Sequence, residues 1–281
     1  MIPKIIHYCW FGGGEIPDHD RKCIESWKRF CPDYEIIRWD ESNYDVHKIR
    51  YMHEAYEAHK WGFVPDYARL DIVYEHGGVY LDTDVELIRN IDDLLENKAF
   101  MGFEQDGEAV SPGLGFGAEK HMPLLREIMD SIYSSRVFKL GPNEYDTTPS
   151  PIMNVEFLER KGLKKNNQFQ IIDGMAIYPS EYFCPIDYAT GIMTITEATF
   201  SIHHYHASWL EPEEKIILLK SQRFEAKYGK KIGNVLTLLI SKPYRLKMHL
   251  RTRGVRGTTL FVAKKVKKQL SSRRSAEGTG Q

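Results

Sequence analysis

The segment Gly77-Gly-Val-Tyr-Leu-Asp82-Thr-Asp84 constrains this chain more than any other. Two glycines stop what precedes, an apolar run follows, and two carboxylates stand two residues apart at its end. The run reads as a buried strand from Val79 to Leu87 that begins apolar and turns acidic. On extended backbone residues i and i+2 point the same way, so Asp82 and Asp84 face one site and Thr83 turns away. Two like charges held close repel, and their burial without a counter-ion is costly. A divalent cation resolves this. Carboxylate oxygens without a thiolate suit Mg²⁺ or Mn²⁺, and such sites often share the ion with substrate phosphates. Taken alone, the spacing also describes a solvent-exposed acidic strand end.

The flanking pattern is α/β. Ile2–Trp10 reads as a buried first strand and Asp18–Phe30 as a helix, since Cys23, Ile24, Trp27 and Phe30 recur at helical spacing. Tyr34–Trp39 is a second strand, and strand–helix–strand order predicts a parallel pair with a right-handed crossover. Val46–Trp61 reads as a polar-faced helix. Pro65–His76 reads as another, with Pro65 and Asp66 suited to its first turn. Phe100–Glu104, Phe169–Pro179 and Thr199–His206 are strand candidates. Met122–Tyr133 and Pro212–Tyr228 read as helices, and Leu140–Pro151 as loop. Alternating elements with short connections argue for α/β architecture.

Three further groups could carry chemistry. Asp66 and Arg69 lie one helical turn apart on one face; by itself this is an ordinary surface ion pair. In Ser201-Ile-His203-His204-Tyr-His206-Ala-Ser208-Trp209, three imidazoles fall within four residues, and neutral imidazole is a common metal ligand. On a strand His204 and His206 share a face and His203 takes the other. The plainer reading is a His-rich loop, and zinc is an alternative, although no Cys pairs with these His at zinc-finger spacing. Trp10 ends the first strand, where ligands bind in α/β sheets, and could stack on a nucleobase or simply join the core. Phe11-Gly-Gly-Gly is not a dinucleotide fingerprint, and neither GxSxG nor a P-loop occurs.

In that order, Ile2-Pro-Lys-Ile-Ile-His-Tyr-Cys-Trp-Phe-Gly, Asp66-Tyr-Ala-Arg69, Gly77 to Asp84 and His203-His204…Ser208-Trp209 resemble the DXD-containing sugar transferases. That family includes yeast Golgi mannosyltransferases and bacterial capsular polysaccharide transferases, and the resemblance spans roughly residues 1–210. It implies a GT-A fold, a Rossmann-like nucleotide-sugar-binding domain. It implies a glycosyltransferase, specifically a hexosyltransferase, that moves a sugar from a nucleotide-diphosphate donor to a glycan or lipid-linked oligosaccharide acceptor in surface or capsular polysaccharide synthesis, with retention. By the same resemblance Trp10 stacks on the base and Tyr80 lies near the nucleotide. Asp66 and Arg69 contact the donor sugar and its phosphates, and Asp82 contacts ribose and sugar. Asp84 ligates Mn²⁺ or Mg²⁺ with His204 or His206. Ser208 and Trp209 contact the leaving phosphates. Candidate acceptor-side residues lie around Ser111-Pro-Gly-Leu-Gly and Gly141-Pro-Asn. A metal-dependent phosphohydrolase using the same Asp/His cluster is the alternative.

Composition divides the chain. Residues 226–281 carry fifteen Lys and Arg against the single acid Glu277, a net of +14, whereas residues 1–225 carry 23 basic against 38 acidic groups, a net of −15. The expected organisation is a catalytic domain over 1–225, a helical basic amphipathic tail over 226–274 and a disordered terminus over 275–281. Short amphipathic stretches dense in Lys and Arg suit an anionic membrane surface. Nucleic acid is not expected, because no nucleic-acid-binding fold is recognised. No apolar run reaches a membrane span. The N-terminus does not read as a signal peptide. Four cysteines without CxxC spacing read as reduced thiols, with a Cys23–Cys31 disulfide as the alternative. The expected location is cytoplasmic, peripheral at the inner face of the cell membrane.

Overall fold

The computed structural model describes residues 1–104, 107–187, 189–205, 210 and 212–277, with backbone alone for 253, 256, 260 and 262–277. The chain divides into two compact units, Met1–Trp209 and Leu210–Gln281. Residue 225, the expected boundary, falls within the helix that opens the second unit.

The first unit is α/β, as the alternating elements lead one to expect. β1 (Ile5–Cys9), α1 (Asp18–Phe30) and β2 (Glu35–Trp39) form a parallel strand–helix–strand unit. α2 (Arg50–Glu57) and α3 (Pro65–His76) follow, and β3 (Gly78–Tyr80) returns parallel to β1 on its other side. The central sheet is completed by β5 (Ala99–Glu104), β6 (Ala109–Ser111), β7 (Phe116–Ala118), β10 (Gln170–Ile172) and β11 (Met175–Tyr178), in the order β10-β11-β5-β7-β3-β1-β2 with β6 on β5. Pairing is mixed: β7 runs antiparallel to both β3 and β5. α4 (Pro123–Tyr133) and α5 (Ser150–Arg160) complete the helical cover.

Both sheet faces are buried, which is why the strands read as nearly continuous apolar runs. Ile6, Tyr8, Val79 and Leu81 pack with Ile24 and Trp27 of α1, while Cys9 and Tyr80 pack on the opposite face with Leu70 and Val73 of α3. Trp27 also donates from its indole N–H to the Val85 carbonyl (2.7 Å). His7 is fully buried between the two layers. Trp39 donates to its Nδ1 (3.1 Å), and Nε2 donates to the Gly77 carbonyl (2.8 Å). Burial lowers its pKa to about 4, so the ring is neutral.

Local differences from the sequence reading have physical causes. The strand expected over Val79–Leu87 is two strands. The chain turns at Thr83-Asp84, and β4 (Val85–Leu87) leaves the central sheet to pair with β12 (Ser201–His203). Val85 N–H donates to the Asp82 carbonyl (3.0 Å), closing that turn. Phe169–Pro179 is the hairpin β10–β11, turning at Asp173-Gly174. Leu140–Pro151 contains β9 (Glu144–Tyr145), paired with β8 (Lys139–Gly141), and the start of α5. None of the four cysteines is in a disulfide, and all are buried.

In the second unit, α6 (Pro212–Glu277) is broken at Gly229 (φ 76°) and Gly254 (φ 66°). Arg251–Glu213 (2.8 Å), Lys220–Tyr244 (3.0 Å) and Thr237–Ser221 (3.1 Å) pair residues across the first break, so the two flanking segments form an antiparallel hairpin. Of the terminus expected to be disordered, 275–277 belong to the helix and 278–281 lie outside the described residues. No helix among the described residues is long and apolar enough to cross a membrane.

Candidate active site

The site forms where β1 and β3 end, because a helix packed on a sheet runs antiparallel to the strand that follows it. The turn at Gly77-Gly78 sends β3 back along α3, so the first turn of α3 meets the last residues of β3. Both glycines have positive φ (69° and 104°), and a Cβ on Gly78 would lie 2.8 Å from the Ile5 carbonyl oxygen, so neither position accepts a side chain.

That geometry assembles one ion cluster from residues 13 to 16 apart. The Arg69 guanidinium bonds Asp66 Oδ1 (2.5 Å), Asp82 Oδ2 (3.2 Å) and the Pro65 carbonyl (3.0 Å). The Arg69 and Asp66 side chains are each 6% exposed, so the pair is buried rather than the surface pair the spacing alone describes. Tyr80 donates its hydroxyl to Asp82 Oδ1 (2.9 Å). Burial pushes Asp66 up to about 6 despite the opposing pull of Arg69 and a hydrogen bond with Ser150. Burial alone would lower the Arg69 pKa, but Asp82 and then Asp66 outweigh it and raise the value. Burial also drives the Cys9 thiol well above its ordinary value, so no thiolate nucleophile arises beside Tyr80.

Asp82 and Asp84 share one locus, though on a turn rather than a strand. Thr83 points the other way and donates to Asp20 of α1 (2.8 Å). The third group at the locus is His203, whose Nε2 lies 3.3 Å from Asp84 Oδ1. Ligand atoms of Asp82, Asp84 and His203 all lie within 4.8 Å of one another. Burial would lower the His203 pKa, but Asp84, Asp82 and Glu104 together raise it. Its buried Nδ1 has no hydrogen-bond partner among the described residues. Two carboxylates and an imidazole fit a divalent ion of the Mn²⁺ or Mg²⁺ class.

His204 points elsewhere. Its ring Nε2 meets Glu86 (2.9 Å) and its backbone N–H donates to the Asp84 carbonyl (3.0 Å). The alternation that gave His204 and His206 one face requires extended backbone at 205, whereas Tyr205 has φ 50° and β12 ends at His203. Pairing of His203 with Val85 in β4, next to Asp84, is what aims its ring at the acids, and that register has no signal in a single strand. His206, Ser208 and Trp209 lie outside the described residues. Trp10 leaves β1 at the same edge of the sheet, half-buried, its indole N–H bonded to the Gly14 carbonyl (2.6 Å).

Gly113 belongs to Ser111-Pro-Gly-Leu-Gly, a candidate acceptor-side segment. It walls the Asp82 carboxylate: its carbonyl accepts from Asp82 N–H (3.3 Å), and a Cβ there would lie 2.3 Å from Asp82 Oδ2. Gly141 to Asn143 forms the turn between β8 and β9.

Residues 17–101 match the family described as the glycosyltransferase sugar-binding region containing DXD motif. This segment is similar to DXD-type sugar-binding regions. Inositol phosphoceramide mannosyltransferase 3 of Schizosaccharomyces pombe is 31% identical over 139 residues, 47% of this chain and 37% of that protein. Mannosyl phosphorylinositol ceramide synthase SUR1 of Saccharomyces cerevisiae is 34% identical over 105 residues, 36% of this chain and 27% of that one. The chain thus spans well under two thirds of the length of these yeast relatives. An uncharacterized glycosyltransferase, L373, of Acanthamoeba polyphaga mimivirus is 24% identical over 225 residues, 74% of this chain and 84% of its own. Among solved structures, a glycosyltransferase involved in glycosylation of the major capsid of PBCV-1 has a TM-score of 0.40 at 9% identity, covering 72% of this chain and 94% of that one, a likeness too slight to bear on fold or function.

Proposed function

We propose that this protein is a metal-dependent glycosyltransferase that moves a hexosyl group from a nucleoside-diphosphate sugar to an acceptor hydroxyl. The observation that carries this reading is the charge imbalance at the end of β3: Asp66, Asp82 and Asp84 stand against one buried guanidinium, with His203 completing a ligand set. Such a locus suits a divalent cation carrying a diphosphate, and the DXD-type region in the same segment supports that assignment. The two yeast relatives are named for mannosyl transfer, which favours a hexosyl donor.

Each side chain then has a role. Trp10 stacks on the base. Arg69 holds Asp82 in place and presents positive charge to the departing phosphates. Asp66, ionised at neutral pH beside Arg69, accepts from sugar hydroxyls. Asp84, Asp82 and His203 would hold the ion, which when bound would supply positive charge toward the diphosphate. No second carboxylate is assigned as a nucleophile, so we read retention through front-face attack, with the acceptor proton passing to the leaving phosphate.

The acceptor is a glycan or lipid-linked oligosaccharide, in keeping with the resemblance to capsular and surface polysaccharide transferases. The basic segment 226–274 holds the enzyme at the cytoplasmic face of an anionic membrane. Exposed Ile232, Val235, Leu238, Leu239 and Leu246 among its Lys and Arg support this.

The test is donor hydrolysis and transfer by the full-length protein with Mn²⁺ across a panel of nucleotide sugars, wild type against Asp84→Ala. Sugar transfer lost in the variant is expected. Full activity in Asp84→Ala refutes the metal role, and efficient phosphate release from simple phosphate esters without sugar transfer favours a phosphohydrolase.

A further inference from the structure

A second constellation lies behind the first, on the α1 side. His19 and Cys23 stand one helical turn apart, at i and i+4, and therefore share a face of α1. His204, 181 residues beyond Cys23, comes against them: the His19 and His204 rings meet edge to face at 4.8 Å. Ligand atoms of His19, Cys23 and His204 all lie within 4.8 Å of one another. Cys23 Sγ is 3.9 Å from His19 Nδ1, close to the about 3.5 Å that separates ligand atoms around tetrahedral zinc with ordinary Zn–N and Zn–S bonds. Glu86 meets His204 at Nε2 (2.9 Å), the carboxylate–imidazole contact that fixes the tautomer and orientation of a ligating ring.

We infer that His19, Cys23 and His204 form a zinc site distinct from the Asp82/Asp84/His203 locus, with Glu86 against the His204 ring helping to orient it. The chemistry separates the two. A thiolate and two imidazoles select a soft or borderline ion such as Zn²⁺, whereas the neighbouring carboxylate-rich set suits a hard one. No zinc-finger spacing announces the site, because its thiol and one imidazole come from α1 and its third ligand from the end of β12. Consecutive residues serve the two sites: His203 turns to Asp84 and His204 turns to α1. Zinc would therefore clamp the end of β12 to α1 and hold His203 in register with the acids, a positioning role.

The experiment uses the full-length protein. Zinc is loaded, excess is removed by desalting, and bound metal is counted by mass spectrometry; Co²⁺ is then substituted and its absorption recorded. About one tightly bound zinc per chain is expected, and the cobalt form should show a thiolate-to-metal charge-transfer band. Cys23→Ser and His19→Gln should each weaken zinc binding at least by the roughly 10–100-fold that loss of a supporting partner costs, and Cys23→Ser should abolish the band. Asp84→Asn should keep both zinc and band, which separates this site from the proposed catalytic one whether or not sugar transfer is observed. His19 is only half-buried, so its variant tests the site where a folding defect obscures Cys23→Ser. A wild-type cobalt form without the thiolate band, or zinc bound as tightly by both variants as by wild type, overturns the inference.

Discussion

Replacing Gly113 by alanine tests the site geometry with a single methyl group. The backbone at Gly113 is not left-handed, so the substitution acts through contact alone. A Cβ built there lies 2.3 Å from Asp82 Oδ2 and 2.9 Å from Arg69 Nη1, against an ordinary contact of 3.4 Å or more. The Asp82 carboxylate must therefore retreat by about 1 Å, and it cannot do so while keeping both the Tyr80 hydroxyl at 2.9 Å and the Arg69 guanidinium at 3.2 Å. Misplacing a reacting geometry by about 1 Å can cost on the order of 100-fold, or about 2.7 kcal/mol of transition-state stabilisation. Overpacking should cost the fold a further about 1–3 kcal/mol. Donor hydrolysis with Mn²⁺ gives kcat/KM, and urea unfolding gives the stability change. Gly141→Ala serves as control, since its Cβ would meet only Glu144 at 3.6 Å. If Gly113→Ala keeps kcat/KM within twofold of the control, the crowding of Asp82 does not matter to catalysis and the reasoning fails.

Arg69→Met should destabilise the fold by about 3–5 kcal/mol in urea unfolding, because it strands the buried Asp66 carboxylate, and Asp66→Asn in the same chain should restore part of the loss. Arg69→Lys keeps the charge but cannot reach Asp66, Asp82 and the Pro65 carbonyl together. It should fold, yet lose donor affinity in calorimetry. Trp10→Ala should weaken nucleoside-diphosphate binding by the about 1–3 kcal/mol of one base–aromatic stack, read as a rise in Kd with little change in melting temperature. His7, whose folded pKa is lowered to about 4 from 6.5, contributes stability that is fully present above pH 6.5 and is lost as pH falls through 4. That contribution is on the order of 3 kcal/mol, and the corresponding slope of unfolding free energy between those pH values should vanish in His7→Gln.

Much of the fold was legible because burial on both faces leaves a plain trace. Ile5 to Cys9 and Ala99 to Glu104 are apolar runs, and α1 and α3 start and stop where Asp18, Phe30, Pro65 and Gly77 suggest. The elements that escaped were those whose limits depend on partners. α5 begins after Thr147-Thr-Pro149, which reads as loop until Val155 and Leu158 find the core. Val79 to Leu87 looks like one strand because local pattern carries no record of which sheet each half joins.

The candidate site divides the same way. Asp66, Arg69, Asp82 and Asp84 are visible in sequence, since i and i+3 spacing on a helix and i and i+2 spacing at a strand end are local geometry. Their convergence is not. The antiparallel return of β3 along α3 brings Arg69 onto Asp82, and the pairing of β12 with β4 presents His203 to Asp84 while turning His204 toward Cys23. Chemical type is written along the chain because each residue carries its own functional group. Which groups meet across tens or hundreds of residues is decided by strand register and packing, and that is where the two proposed metal sites become distinct.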